Sequence, residues 1–214
     1  MRTPRPEIRV PLERHASYEV AVDNLRPGSI VYSFGIGRDL NFEKSLAART
    51  GATIHAFDPS PESVEYWGVI EPPPSGVTFH PTGVAAADGL VTFFPPAEGD
   101  VTRSYSSVEN HSAGGSAVDV PVRRVGTLLR ELGHDRIDLL KLDVEGSEYA
   151  VLEDVLSSDI PVSQIVVEFH HRFPSLGIGR TRRVLRLLRA AGFRLAHASQ
   201  DAEDCVFVRA GTSG

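Results

Sequence analysis

SIVYSFGIGRDLNFEKSLAARTGATIHAFDP, residues 29–59, contains a complete strand, turn, helix and second strand. Ile30, Val31 and Tyr32 are β-branched or aromatic, the composition of a strand buried on both faces of a parallel sheet. Gly35 and Gly37 follow. Without Cβ atoms they allow positive φ and the close approach of a ligand. Asp39 or Asn41 is placed to cap a helix whose Phe42 and Leu46 share one face, and Thr50-Gly51 stops it. Residues 53–57 read as a second strand, and it ends on Asp58. This order is the layout of a nucleotide-binding βαβ unit. Asp58 stands 21 residues beyond Gly37, near the separation of about 20 at which a carboxylate at a strand end accepts hydrogen bonds from ribose hydroxyls.

A chain of 214 residues supports one sizeable core, and 41% hydrophobic with 23% charged residues is ordinary for a soluble globular protein. No apolar run approaches the roughly 20 residues a membrane span needs, and the N-terminal MRTPRPEIRV has charge with no apolar segment behind it, so neither membrane insertion nor a signal peptide is expected. The single cysteine, Cys205, excludes an internal disulfide and points to a cytoplasmic location; its apolar surroundings Val206-Phe207-Val208 predict an inert buried thiol. A net charge of −6 argues against nucleic-acid binding. Composition sets no oligomeric state.

Around the opening unit, residues 1–28 read as an arm with a short helix at about 15–25, and residues 29–210 as the domain. Ser60 with Pro61 starts a second helix that ends before Glu71-Pro72. A strand at 77–80 leads to Pro81-Thr82-Gly83-Val84, and Asp88-Gly89 predicts a hairpin with residues 90–94 as its second strand. Residues 95–119 hold few large apolar side chains; a loop of that length is functional or disordered, and Ser104-Tyr105-Ser106-Ser107 at its centre favours a mobile, substrate-covering loop. Strands follow at 120–125, 137–144 and 164–169, alternating with helices at 127–132, after Ser147, and at about 180–191. The last of these sets Val184, Leu187, Leu188 and Ala191 inward and its arginines outward as a solvated face. Residues 194–198 and 204–208 close the chain as an antiparallel pair. Alternating strands and helices with that ending predict a doubly wound α/β sheet of about seven strands.

Two segments then resemble a known family. Phe57-Asp58-Pro59 and Lys141-Leu142-Asp143-Val144-Glu145-Gly146-Ser147-Glu148, with the glycine turn, are similar to the motifs of FkbM-type methyltransferases, a branch of the class I S-adenosylmethionine-dependent enzymes. The resemblance covers about residues 29–209. It implies a Rossmann-like, mostly parallel seven-stranded sheet with an antiparallel last strand, S-adenosylmethionine as methyl donor, and a hydroxyl acceptor on a small molecule or sugar. Carried over by position, Gly35 and Gly37 line the methionine part of the donor, Asp58 holds the ribose, and Thr82, Gly83 and Val84 lie beside the adenine. Ser33, Phe34, Pro59 and Asp143 complete the donor contacts. Ser33 stands where many class I enzymes carry an acid, so its hydroxyl or a backbone carbonyl would replace the contact to the donor's amino group.

The ligand of an open α/β sheet lies beyond the carboxyl ends of the strands where strand order reverses. Asp58, Asp143, Glu145, Glu168 and His170 all fall at strand ends, and Asp143, His170, Glu145 and Glu168 form the expected catalytic set. Structural roles fit some of them too: Lys141 and Asp143 alternate onto one face as an ion pair, and Glu145 would favour a helix N-terminus. Displacement at a sulfonium already has a good leaving group, so the protein must align the acceptor and remove its proton. His170 has the intrinsic pKa of a base, Asp143 suits orientation of the acceptor or the imidazole, and Glu168 shares His170's face. In a less favoured version Asp143, Glu145 and His170 hold a divalent ion that acidifies the hydroxyl. Two other readings stay open. An NAD-dependent dehydrogenase uses the same turn and acid but needs the third glycine missing here, and a nucleotide-binding module would keep the fold without chemistry.

Overall fold

The computed structural model describes residues 3–95, 105–107, 116–173 and 175–211. The arm forms a hairpin, β1 (Glu13–His15) with β2 (Tyr18–Val20), where a helix is expected. Tyr18 and Val20 are buried on either side of a half-buried Glu19, the period of a strand, and Ala16 at φ 50° makes a turn that no helix contains.

The unit at 29–59 forms as its residues predict: β3 (Ile30–Phe34), α1 (Asn41–Thr50) and β4 (Thr53–Phe57). Asp39 secures the start of α1, its Oδ1 accepting the Asn41 N–H at 2.8 Å, and Gly51 ends the helix at φ 68°. α2 (Pro61–Gly68) opens on Ser60, whose Oγ accepts the Ser63 N–H at 3.3 Å, and β5 (Val77–His80) follows. The hairpin across Asp88-Gly89 is absent. Instead β6 (Gly83–Val84) and β7 (Gly89–Phe93) flank β8 (Val118–Arg123), parallel and antiparallel to it respectively. Asp88 explains the difference: it accepts the Arg124 N–H at 2.7 Å and the Thr127 hydroxyl at 2.9 Å, which ties the turn to α3 (Val125–Glu131).

The chain continues through β9 (Ile137–Leu142), α4 (Glu148–Ser157), β10 (Val162–Glu168), α5 (Gly177–Ala190), β11 (Phe193–Ala198) and β12 (Asp204–Arg209). The main sheet has seven strands in the order β11-β12-β10-β9-β3-β4-β5. Neighbours from β10 to β5 are parallel, and β12 runs antiparallel to both β10 and β11. Side chains alternate across it. Tyr32, Phe34 and Leu140 pack with α3, α4 and α5, while Val31, Ile54 and Leu139 pack with α1 and the hairpin. On α5 the buried stripe is Thr181, Val184, Leu185 and Leu188. Leu187, expected inward, is exposed because this 3- and 4-residue spacing passes it by, and all five arginines face water. Cys205 is buried, and burial pushes its thiol up to about 12. No described helix is long and apolar enough to cross a membrane.

Candidate active site

Strand order reverses between β3 and β9, which end together at the paired residues Phe34 and Leu142. The chain then turns away on both sides and leaves a cleft. Gly35, at φ 78°, sits so close to β9 that a Cβ there would lie 1.7 Å from the Asp143 carbonyl oxygen. Glycine is therefore a steric requirement at this position. Asp58, buried at the end of β4, holds the turn from the other side: Oδ2 accepts the N–H groups of Ile36 at 3.1 Å and Gly37 at 3.0 Å, and Oδ1 accepts that of Ser60 at 2.9 Å. A carboxylate offers about four acceptor positions. Three are occupied by backbone, so Asp58 shapes the turn as well as facing the cleft.

The cleft encloses about 260 Å³. It is lined by Phe34, Gly35, Gly37, Asp58 and Pro59, by Gly83 and Val84, and by Asp143, Glu145 and Tyr105. Two expected contacts are not on this surface. Thr82 is half-buried outside the lining, and Ser33 points to the α1 face by strand alternation, where its fully buried Oγ donates to Glu43 Oε1 at 2.5 Å. Its hydroxyl is thereby committed to Glu43. Burial raises that carboxyl above its ordinary range although Lys141 opposes the shift.

Charged side chains gather beside the cleft; of the expected catalytic set Asp143 and Glu145 line it, and Glu168 and His170 do not. Lys141, also buried, donates to the Gly35 carbonyl at 2.8 Å, lies 4.8 Å above the Tyr18 ring, and is 3.8 Å from Asp143 Oδ2, the ion pair its strand position predicts. Glu145 takes φ 49° in the turn before α4, and its carbonyl accepts the Ser106 hydroxyl at 2.8 Å. Ser147 does not cap α4; its Oγ meets Ser107 Oγ at 2.9 Å. Residues 105–107 of the expected substrate loop thus rest on the turn after β9. The mobility expected of that loop falls largely on 96–104 and 108–115, which lie outside the described residues.

His170 is 1% exposed and central to the expected catalytic set. Its Nε2 faces Glu145 Oε2 at 3.5 Å, Asp143 Oδ1 at 3.8 Å and Glu168 Oε1 at 3.8 Å. On the other edge of the ring Nδ1 is 3.4 Å from Glu148 Oε1, which accepts the His170 backbone N–H at 2.8 Å, while Glu148 Oε2 accepts the Gly146 N–H at 2.8 Å. Tyr18 reaches in from the hairpin, donating to Asp143 Oδ2 at 2.7 Å with Glu168 Oε2 at 3.3 Å. Burial alone would lower the His170 pKa, but Glu148, Glu145 and Asp143 together raise it to about 9. Burial and the Asp143 charge push Glu168 up to about 7, and burial raises Glu145. The carboxylate shell thus favours the charged form of the imidazole, and Glu168 holds its proton more tightly than an ordinary carboxyl.

Tyr18 and Glu148 escape a reading of the sequence. Glu148 lies within the quoted motif, yet only the fold shows that it orients His170; Tyr18 sits 125 residues from its partner Asp143, and no local pattern marks it.

Comparison with known proteins agrees with this geometry. The FkbM methyltransferase domain family matches residues 29–195. The chain is 28% identical over 212 residues to the 31-O-demethyl-FK506 methyltransferase FkbM of Streptomyces tacrolimicus, covering 83% of this chain and 76% of that protein. It is 28% identical over 182 residues to probable methyltransferase-like protein 24 of Homo sapiens, covering 80% of this chain but 43% of the human protein, so it spans less than half of that relative. A third relative, methyltransferase sdnD of Sordaria araneosa, is 30% identical over 133 residues, 49% of this chain and 51% of that protein. No solved structure matches the chain significantly. With the matched span running from the first strand of the main sheet into β11, and taking in the glycine turn, Asp58 and the segment from Lys141 to Glu148, the chain belongs to the FkbM methyltransferase-domain family.

Proposed function

We propose that this protein is a class I methyltransferase that moves a methyl group from S-adenosylmethionine to a hydroxyl of a small molecule. The observation that carries the reading is the continuity of one cleft from the glycine turn and Asp58 to Asp143 and Glu145. A donor in it would lay its methionine part along Gly35 and Gly37, its ribose at the remaining acceptor position of Asp58 and its adenine against Pro59, Gly83 and Val84. Its sulfonium methyl would then point toward the ends of β9 and β10.

The acceptor would enter between Tyr105 and Glu145. Asp143 and His170 orient it, and Glu145 and Glu168, whose carboxyls hold protons more tightly than usual, receive the hydroxyl proton. An oxygen acceptor is favoured by the name of the Streptomyces relative, which specifies an O-methylation. Residues 29–210 would be the methyltransferase domain, and the arm before them supplies Tyr18.

Thermal unfolding tests the donor. S-adenosylhomocysteine should raise the melting temperature and NAD should not, since a ligand at about 100 times its dissociation constant adds about 2.7 kcal/mol. Stabilisation by NAD alone would replace methyl transfer with hydride transfer.

A further inference from the structure

We propose that Asp143, Glu168 and His170 bind one divalent cation of the magnesium and manganese class beside the cleft that Asp143 lines, held in position by Glu148 and Tyr18. One ligand atom from each of the three side chains lies within 4.8 Å of the other two. Ligand atoms on opposite sides of one such ion stand about 4.2 Å apart and adjacent ones about 3 Å, so the three groups close around an ion by shifts well under an ångström.

Acidic residues cluster on many surfaces without an ion, but His170 sets this cluster apart. It is 1% exposed, its Nδ1 has no hydrogen-bond partner, and its Nε2 is aimed between three carboxylate oxygens at 3.5 to 3.8 Å. An imidazolium placed there only to pair with a carboxylate would bring one oxygen to about 2.8 Å. Near-equal separation from several oxygens is the arrangement ligand atoms take around a shared centre.

The surrounding groups are set for the same purpose. Tyr18 engages Asp143 Oδ2 and Glu168 Oε2, and the opposite oxygens, Asp143 Oδ1 and Glu168 Oε1, are those that face His170 Nε2. One hydroxyl thus turns two carboxylates toward a common point. Behind the ring, Glu148 Oε1 at 3.4 Å favours the tautomer with its N–H at Nδ1, which leaves the Nε2 lone pair for the ion. A carboxylate in that place is the usual partner of a metal-bound histidine. Charge agrees. Asp143, Glu145, Glu148 and Glu168 surround the ring, against Lys141 at 3.8 Å from Asp143 and Arg172 at 3.8 Å from Glu168, the latter also paired with Glu203. Two carboxylates and an imidazole, with no thiolate, select a hard divalent ion.

The ion site stands on this donor set alone. Its use, to hold the acceptor oxygen and lower its pKa, rests on the methyl-transfer reading. Manganese is the probe. After chelator treatment and dialysis, Mn²⁺ titrated into the protein and followed by electron paramagnetic resonance should bind at one equivalent per chain, with nitrogen modulation from the His170 ring. Glu168→Gln and His170→Gln should each weaken binding at least tenfold, and the nitrogen modulation should vanish in the second. Retention of the S-adenosylhomocysteine thermal shift in each variant shows that it is folded. Absence of Mn²⁺ binding up to millimolar concentration, or binding untouched by both substitutions, overturns the proposal. A wild-type protein that responds to S-adenosylhomocysteine but not to Mn²⁺ loses the ion and keeps methyl transfer; the reverse result keeps the ion and removes methyl transfer.

Discussion

Where β3 and β4 end, the cleft is shaped by main-chain atoms: a glycine pressed against the Asp143 carbonyl, and three N–H groups gathered by Asp58. Where β9 and β10 end, side chains take over: Asp143 and Glu145 line the cleft, and Tyr18, Lys141, Glu148, Glu168 and His170 meet them from separate segments. The first end is a matter of fit, and a single added carbon should disturb it. The second is a matter of charge, and removal of a single polar atom should change its chemistry while leaving the fold in place.

The largest effect is expected from Gly35→Ala. The new carbon would occupy the position 1.7 Å from the Asp143 oxygen, and both residues are backbone just past the ends of β3 and β9, so the two segments must separate there. A loss of about 4 kcal/mol or more in urea unfolding is expected, together with loss of the S-adenosylhomocysteine shift. Gly37→Ala is the control. It also has positive φ, 53°, but no atom lies within 4 Å of its added carbon, so the cost should be only the 1–2 kcal/mol or so of the left-handed conformation. Equal losses in the two variants would show that close approach to β9 is not what Gly35 provides.

The same division separates what the sequence discloses from what it does not. Residues 29–59 fold as read because every signal in them is local: the apolar run, the glycines, the stop at Gly51, the strand-ending acid. Asp88-Gly89 misleads because its hairpin reading is local as well, whereas the contacts of Asp88 to Arg124 and Thr127 come from 36 and 39 residues away. Helix periodicity gives way to strand in the arm because Tyr18 and Val20 gain burial against the main sheet, which no window of the arm's own sequence contains. At the site, Asp143, Glu145, Glu168 and His170 are legible as polar groups at strand ends. That Glu148, Glu145 and Asp143 raise the proton affinity of one buried imidazole follows only from their assembly.

Asp58→Asn should come second. The replacement keeps one acceptor and presents an amide donor to backbone N–H groups, so part of the three-bond clasp on Ile36, Gly37 and Ser60 is lost. A destabilisation of about 2 kcal/mol is expected, with loss of the S-adenosylhomocysteine shift. Loss of the shift at unchanged stability would make Asp58 a ligand group alone, and the main-chain end of the cleft would then be independent of it.

Tyr18→Phe probes the side-chain end with the loss of one oxygen. The ring keeps its edge contact with Phe42, centroids 5.5 Å apart, and its place under Lys141, so unfolding free energy should change by about 1 kcal/mol or less. Asp143 and Glu168 lose their shared donor and with it their orientation. Turnover with any acceptor the wild type methylates should fall by about tenfold or more at unchanged donor affinity. A fall in donor affinity with turnover preserved would move Tyr18 to the other end of the cleft.

The smallest effect should come from three histidines outside the cleft. His55 Nδ1 and His80 Nε2 are 3.0 Å apart, and the His134 ring lies 4.8 Å from that of His55 while its Nδ1 bonds the Tyr32 hydroxyl at 2.8 Å. Around them are Tyr32 and Phe57, with Asp135 the nearby acid that partly opposes the lowering of His134. Burial first, then His134 and His80, push His55 down to about 4, and burial lowers the other two. His170 is buried as well but lies among carboxylates, and it shifts the opposite way. A histidine whose folded pKa is depressed stabilises the fold fully above its unfolded value of about 6.5 and loses that contribution as pH falls toward its folded value, because only the unfolded chain takes up the proton. The melting temperature should therefore fall between about pH 6.5 and 4. His55→Phe keeps the stacking on Phe57 and His80 but cannot titrate, so its melting temperature should fall less over the same range. Carboxylates titrating in that interval affect both proteins alike and cancel in the difference. An identical pH dependence in the two proteins would mean that this trio takes up its protons as readily when folded as when unfolded, and that its packing exerts no control over charge.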